Sequence, residues 1–120
     1  MLTHHDDLEL AAGDEWAIAG LLLDEEGNAL DLTAGVQLGW TMRGPDGKTI
    51  PGLIDGGATL EPSEPTTSGE IVIVLPGSLT KTFPPGRYTD AVRSWVGGVP
   101  ALMWVGQILV ACDPFASELP

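Results

Sequence analysis

The sequence has a single cysteine, Cys112, among its 120 residues. This excludes an intramolecular disulfide and a zinc cluster built from several thiolates. Basic side chains are also scarce, because five Lys and Arg stand against 17 Asp and Glu, which gives a formal net charge of −12. Such a chain repels phosphate backbones and anionic lipid surfaces, so the composition argues against binding to nucleic acid or to membranes.

Long apolar runs and a targeting segment are missing as well. No apolar run reaches the roughly 18 residues that a membrane helix requires. The N-terminus, MLTHHDDLEL, has neither the basic region nor the apolar core of a secretory signal. We therefore expect a soluble protein that is made in the cytosol.

The composition is rich in turn formers and in apolar residues. There are 16 Gly and 10 Pro, while apolar residues make up 43% of the chain. This combination favours a globular protein with short strands and many turns over one with long helices. The length suits one domain, which we expect at residues 7–114, between a flexible arm at 1–6 and a tail at 115–120.

Period-2 alternation of apolar residues predicts about eight strands separated by turns, the signature of an all-β, Ig-like Greek-key sandwich. We expect one helical turn at 78–83 with Ser78 as its N-cap, and a connection without strands at 55–69. Apolar residues on both faces of the second strand suggest that this strand is central or well covered. The predicted strands are 7–11, 15–23, 30–33, 36–43, 48–54, 70–75, 87–96 and 101–112.

Several residues are predicted to have structural roles. Gly27 and Gly47 lie in turns that favour a positive φ, and Gly86 follows two prolines where the chain reverses. Tyr88 begins a late strand, where a tyrosine in a Greek-key sandwich fills the end of the core and bonds back to the preceding corner. Trp16 and Trp40 fall on apolar faces and are expected in the core.

Three segments together resemble a small Ig-like β-sandwich structural protein of tailed bacteriophages and prophages. They are LELAAGDEWAIAGLLLDEEGNALDLTAG (8–35), GEIVIVLPGSLTKTFPPGRYTDAVR (69–93) and ALMWVGQILVACDP (101–114). The chain is also similar to the N-terminal domain of baseplate proteins that hold receptor-binding proteins. The resemblance implies an assembly protein of the virion, present in several copies and without a catalytic motif or cofactor.

One position departs from that pattern. Asp90 shares the face of Tyr88, in a strand that alternates regularly in the family. We therefore expect either a β-bulge or a charged partner such as Arg87 or Arg93.

The sequence offers no convincing catalytic or metal site. His4 and His5 have metal-ligand chemistry, but a flexible arm on which a neighbour docks is the favoured interpretation. They are the only histidines, so no serine or cysteine nucleophile has a structured imidazole base. The acidic segment 24–31 lacks the spacing of an EF-hand, and we expect a solvated turn there.

The segment around the Gly97–Gly98 turn is the predicted partner interface. An exposed Trp95 beside Val99, Pro100 and Met103 has the composition of an interface hot spot. The sequence gives equal weight to a core and an interface position for Trp95, whereas for Trp104 a core position is favoured.

Taken together, these observations predict a non-enzymatic virion protein that binds other virion proteins, in tail, baseplate or fibre attachment or in head decoration. Its location is then the virion, after synthesis in the bacterial host cytoplasm. The alternative is a carbohydrate- or cell-surface-binding module, which predicts two coplanar tryptophan rings on one exposed face. An enzyme is the third hypothesis, and it predicts a cleft with carboxylates of perturbed pKa.

Overall fold

The computed structural model describes residues 8–33, 36–54 and 56–111. A single helical turn, α1, spans Gly77–Thr80, and a short 3₁₀ turn spans Thr66–Ser68. Neither of these helices within the described ranges is long and apolar enough to cross a membrane. The strands in these ranges are β1 Leu8–Ala11, β2 Trp16–Leu21, β3 Gln37–Arg43, β4 Thr59–Pro62, β5 Glu70–Leu75, β6 Gly86–Val96 and β7 Val99–Ala111.

The strands form two sheets that pack face to face. The four-stranded sheet has the order β1-β7-β6-β3, and the three-stranded sheet has the order β2-β5-β4. All neighbours are antiparallel except β1, which runs parallel to β7. This is an all-β, Ig-like sandwich, as the alternation predicted.

The predicted number of strands, about eight, is higher than the seven found in the described residues. Residues 30–33 form no strand, although the Leu32 N–H donates to the Thr66 carbonyl and the Leu32 side chain is buried. The predicted strand at 48–54 is reduced to one bridge between Arg43 and Thr49, followed by turns. Conversely, β4 lies inside the segment expected to be a plain connection. The segment 59–65, which contains β4, has two prolines and two glutamates, and these hid the strand pattern.

Two local expectations were wrong. The N-cap residue of α1 is Pro76 and not Ser78, and no side chain caps the turn. The strand β2 lies at an edge of its sheet, with Trp16 and Ile18 buried and Ala17 and Ala19 exposed. Its outer residues are apolar but face solvent, so apolar residues on both faces did not indicate a covered strand.

Inward side chains from both sheets meet in one core. At the end near the Gly97–Gly98 turn, the Trp104 ring of β7 packs against Gly20 of β2. A Cβ atom on Gly20 would lie 1.7 Å from Cζ3 of Trp104, so the indole takes the space that any side chain would need. Trp104 is therefore a core residue that fixes the distance between the sheets at this end.

The opposite end of the core is closed by the predicted tyrosine corner. The Tyr88 hydroxyl donates to the Pro84 carbonyl at 2.6 Å. The rings of Trp16 and Phe83 lie 5.4 Å apart, and those of Phe83 and Tyr88 lie 5.9 Å apart. Gly86 has φ 148°, and a Cβ atom there would lie 2.6 Å from Cγ of Pro45. The chain can turn into β6 only with glycine at this position.

The remaining structural residues also occupy their expected places. Gly27 and Gly47 have φ values of 85° and 80° in their turns. Trp16 and Trp40 are buried in the core.

We predict that Gly20→Ala destabilises the protein by about 1–3 kcal/mol, because the added methyl group overlaps the Trp104 ring. Urea unfolding measures the loss. Ala19→Ser, on the exposed side of the same strand, is the matched control and should change the stability by less than about 0.5 kcal/mol. If the double variant Gly20→Ala/Trp104→Leu is no more stable than the sum of the two single losses implies, the steric explanation fails.

We predict that Tyr88→Phe costs about 1 kcal/mol, because the Pro84 carbonyl loses its donor. Burial raises the pKa of the Tyr88 phenol above its ordinary 10.0, and the Asp46 carboxylate adds to the effect. A folded-state pKa above the unfolded one means that the contribution is complete below about pH 10 and is lost as pH rises through the folded value. The free energy of unfolding should therefore fall more steeply above about pH 10 in the wild type than in Tyr88→Phe. Equal slopes would contradict this assignment.

Candidate partner-binding surface

A buried hydrogen bond sets which side of β6 faces outward. Trp40 Nε1 donates to Oδ2 of Asp90 at 3.0 Å, and both side chains lie in the core. Tyr88, Val92 and Ser94 point inward with Asp90. Because side chains alternate along a strand, Arg87, Thr89, Ala91, Arg93 and Trp95 form the outer row of β6.

This arrangement resolves the question that Asp90 raised. No bulge is needed to turn Asp90 inward, since Tyr88 and Asp90 both follow the regular register with β7. The two expected cationic partners stand on the opposite, exposed side of β6, where the Arg87 guanidinium donates to Oε1 of Gln107 at 2.9 Å. Inside the core, the Asp90 carboxylate accepts a hydrogen bond from the indole N–H of Trp40 on the neighbouring strand β3. The only signal of this pairing in the sequence is that the alternation patterns of β3 and β6 place both Trp40 and Asp90 on the inward side of their strands.

The β6–β7 hairpin extends beyond the end of the neighbouring strand β3. The two strands have 11 and 13 residues, and the last pair between β3 and β6 is Gln37 with Trp95. Gly97 and Gly98 close the hairpin with φ values of 57° and 82°, which a two-residue turn of type I′ requires. The tip therefore projects one residue pair beyond the last pair between β3 and β6.

Apolar side chains on this tip are exposed. Val96 is 51% exposed, Val99 67% and Leu102 39%. The Trp95 side chain is half-buried and lies against β3, where a Cβ atom on Gly39 would be 2.9 Å from its Cζ3. Together with the exposed Pro100, these residues make the tip of the hairpin apolar on both sides. Trp95, Pro100 and Leu102 lie on the outer side of the sheet, whereas Val96 and its partner Val99 have the opposite parity. The five residues are here called the hairpin surface.

The placement of Met103 corrects one predicted interface residue. The pairing jumps from Val92–Trp104 to Arg93–Leu102, so Met103 is an extra residue in β7. This β-bulge turns Met103 and Trp104 inward together, and Met103 is only 4% exposed. Leu102 takes its place at the surface. Strict alternation could not reveal the bulge, because every residue from 101 to 105 is apolar.

The other predicted interface residues divide into two groups. Val99 and Pro100 are exposed on the hairpin, and Trp95 is half-exposed beside them. His4 and His5 lie outside the described residues. The structure therefore brings together only the hairpin part of the predicted interface.

The acidic turn at 24–31 is built by its own carboxylates. Oδ1 of Asp24 accepts from the N–H groups of Glu26 and Asn28, at 2.9 and 3.0 Å. The Thr33 hydroxyl and N–H bind the Asp31 carboxylate and lower its pKa, which favours the charged form. Among residues 8–33, 36–54 and 56–111, no group of three His, Cys, Asp or Glu side chains is placed to hold a metal ion.

A depression of about 400 Å³ lies beside the tyrosine corner. Among the described residues its wall is mostly apolar, with one carboxylate, and that carboxylate, Asp46, accepts from the Lys48 N–H at 3.0 Å. The lining residues are Gly44, Pro45, Asp46, Ile50, Thr82, Phe83, Pro84, Pro85 and Tyr88.

The tryptophans are not arranged for stacking on a sugar. Trp16, Trp40 and Trp104 are in the core, and Trp95 alone among the four reaches the surface. The carbohydrate-binding hypothesis requires two coplanar exposed rings. These positions do not provide them.

Comparisons with known proteins support the fold alone. No family model and no curated protein matches the chain. Among solved structures, InlP from Listeria monocytogenes superimposes with a TM-score of 0.51 at 12% identity, over 92% of this chain and 27% of InlP. The N-terminal Ig1-2 module of the Drosophila receptor protein tyrosine phosphatase DLAR gives a TM-score of 0.46 at 10% identity, over 91% of this chain and 46% of that module. This chain thus spans about a quarter of the InlP chain and under half of the DLAR module.

We predict that Asp90→Ala lowers the free energy of unfolding by about 1–3 kcal/mol, because Trp40 Nε1 loses its acceptor inside the core. Asp90→Asn keeps an acceptor of the same shape and should lose less. Chemical unfolding followed by tryptophan fluorescence gives both values. Equal stabilities for Asp90→Ala and the wild type would show that the hydrogen bond does not hold β6 against β3.

Proposed function

We propose that this chain is a non-enzymatic binding module that attaches to another protein through the hairpin surface. The observation that carries the proposal is the exposed apolar tip, where Val96, Val99 and Leu102 are between 39% and 67% exposed and Trp95 is half-buried. Exposed apolar patches of this kind mark sites where proteins meet. The pairing of β6 with β7 up to Val96 and Val99 limits the entropy that the hairpin loses on binding.

Within that role, we propose that the chain is a structural protein of a tailed phage or phage-like particle. The support is the resemblance of segments 8–35, 69–93 and 101–114 to small Ig-like virion proteins, together with the Ig-like sandwich of the described residues. Its partners are then other virion proteins of the tail, baseplate, fibre attachment or head decoration. The protein is made in the bacterial host cytoplasm and ends in the virion.

The test is binding to purified particles that lack this protein, measured by co-sedimentation. The wild type should bind, and Val99→Asp should bind at least about 10-fold more weakly, because a charge would be buried at the centre of the contact. Ile54→Asp is the matched control, since Ile54 is also an exposed aliphatic residue (46% exposed) but lies outside the hairpin.

Two results would overturn the proposal in different ways. If the wild type fails to bind any such particle, the virion role is wrong. If the wild type and Val99→Asp bind equally well, the virion role stands, but the hairpin surface is not the site of attachment.

A further inference from the structure

The positive charges of this acidic chain are concentrated on one surface. Its five basic residues include three arginines, and all three stand on the outer side of the four-stranded sheet. Arg43 lies on β3, paired with Thr89, while Arg87 and Arg93 lie on β6. The one acidic residue on the same side of the described strands is Glu9 of β1. The charge of this surface is therefore opposite in sign to that of the molecule.

Between the arginines, this side of the sheet carries one row of small side chains and one polar row, which contains Thr89 and Gln107. Ala91 pairs with Thr41 on one side and with Val105 on the other, so a row of small side chains crosses the sheet. Leu109 pairs with Arg87 and is 42% exposed. We call this surface the arginine face, and it comprises Arg43, Arg87, Arg93, Thr41, Ala91, Val105 and Leu109.

The outer side of the three-stranded sheet is acidic and apolar, so its charge is opposite to that of the arginine face. Ala17 pairs with Val74, Ala19 with Val72, and Leu21 with Glu70. Glu61 of β4 pairs with Val72, which places the two glutamates on neighbouring strands in adjacent rows, about 7 Å apart along the strand direction. No basic residue lies on this side of β2, β4 or β5. We call this surface the glutamate face, and it comprises Ala17, Ala19, Leu21, Glu61, Glu70, Val72 and Val74.

We propose that copies of this domain stack through these two faces, the arginine face of one copy on the glutamate face of the next. Both faces are sheet surfaces on which apolar side chains lie among the charged ones, and sheets pack face to face at about 10 Å. Arginines on one side meet carboxylates on the other. The proposal rests on the proposed function in one respect, since it supplies the contact by which a multi-copy assembly would repeat.

The geometry of this contact determines the kind of assembly. The two faces lie on opposite sides of the sandwich, so the contact is heterologous: each copy uses one face and leaves the other open. Such a contact produces a ring if its rotation closes and an open stack if it does not. A symmetric dimer would instead require one face to pair with itself, and the like charges on each face oppose that arrangement.

The net charge of −12 opposes association of two copies at long range. At about 0.15 M salt the Debye length is about 8 Å, so charges remote from the contact are largely screened. The charges that meet across the contact are closer than this distance and keep their attraction.

The experiment is sedimentation velocity on the isolated protein at about 0.15 M salt, over concentrations up to about 1 mM. The wild type should associate. Two variants, Arg43→Glu/Arg87→Glu and Glu61→Lys/Glu70→Lys, should each associate at least about 10-fold more weakly. An equimolar mixture of the two should regain association, because each reversed face then meets a reversed counterpart.

Matched controls separate local charge from net charge. Lys48→Glu/Lys81→Glu changes the net charge as much as the arginine variant, and Glu25→Lys/Glu26→Lys as much as the glutamate variant. All four residues lie outside both faces, so these controls should associate like the wild type. Circular dichroism verifies that each variant keeps its β structure.

The proposal is overturned if the wild type stays monomeric over the whole range, if either face variant associates like its control, or if the mixture fails to recover. A monomer would point to an unrelated acidic protein as the occupant of the arginine face. Failure here remains distinct from failure of the proposed function, because Val99→Asp lies outside both faces and should lose particle binding while it keeps self-association.

Discussion

The hydrogen bond from Trp40 to Asp90 determines how the rest of the four-stranded sheet is presented. It places a carboxylate inside the core and ties the central strand β6 to its neighbour β3. A one-residue slip of β6 would bring Asp90 to the surface, remove the acceptor of Trp40 and drive the arginines inward. Each of these changes raises the free energy of the folded state, so the Trp40–Asp90 hydrogen bond favours the observed register of β6. A buried hydrogen bond thus determines that the arginines of β6 lie on the surface.

The core is held together without a bond between cysteines. In antibody domains, a disulfide joins the two sheets two residues after the corner tyrosine, and here that position is Asp90. Aromatic packing connects the sheets instead. The rings of Trp16, Phe83 and Tyr88 close one end, and Trp104 against Gly20 closes the other.

Carboxylates in two of the turns have structural roles. Asp24 accepts backbone N–H groups of its own turn, and Asp46, the one carboxylate among the described residues that line the depression beside the tyrosine corner, does the same. The outer surfaces, in contrast, are ordered into an apolar tip, an arginine face and a glutamate face. The glutamate face lies on the side of the sandwich opposite to the arginine face, whereas Trp95 and Leu102 of the tip lie beside Arg93 on the arginine side.

The sequence by itself determined the class of fold and the places where the chain turns. Alternation in Val36–Arg43, the glycines in the turns and the Pro-Pro-Gly before Tyr88 act locally, and local rules suffice to predict them. Tertiary structure decided the rest. The bulge at Met103 depends on the room that the opposite sheet leaves for Trp104, and the short strand β4 forms because β5 offers it an edge. The arginines and glutamates are scattered along the chain, and only the pairing of distant strands gathers them on opposite faces. Contacts between residues far apart in sequence follow from packing, which no local pattern records.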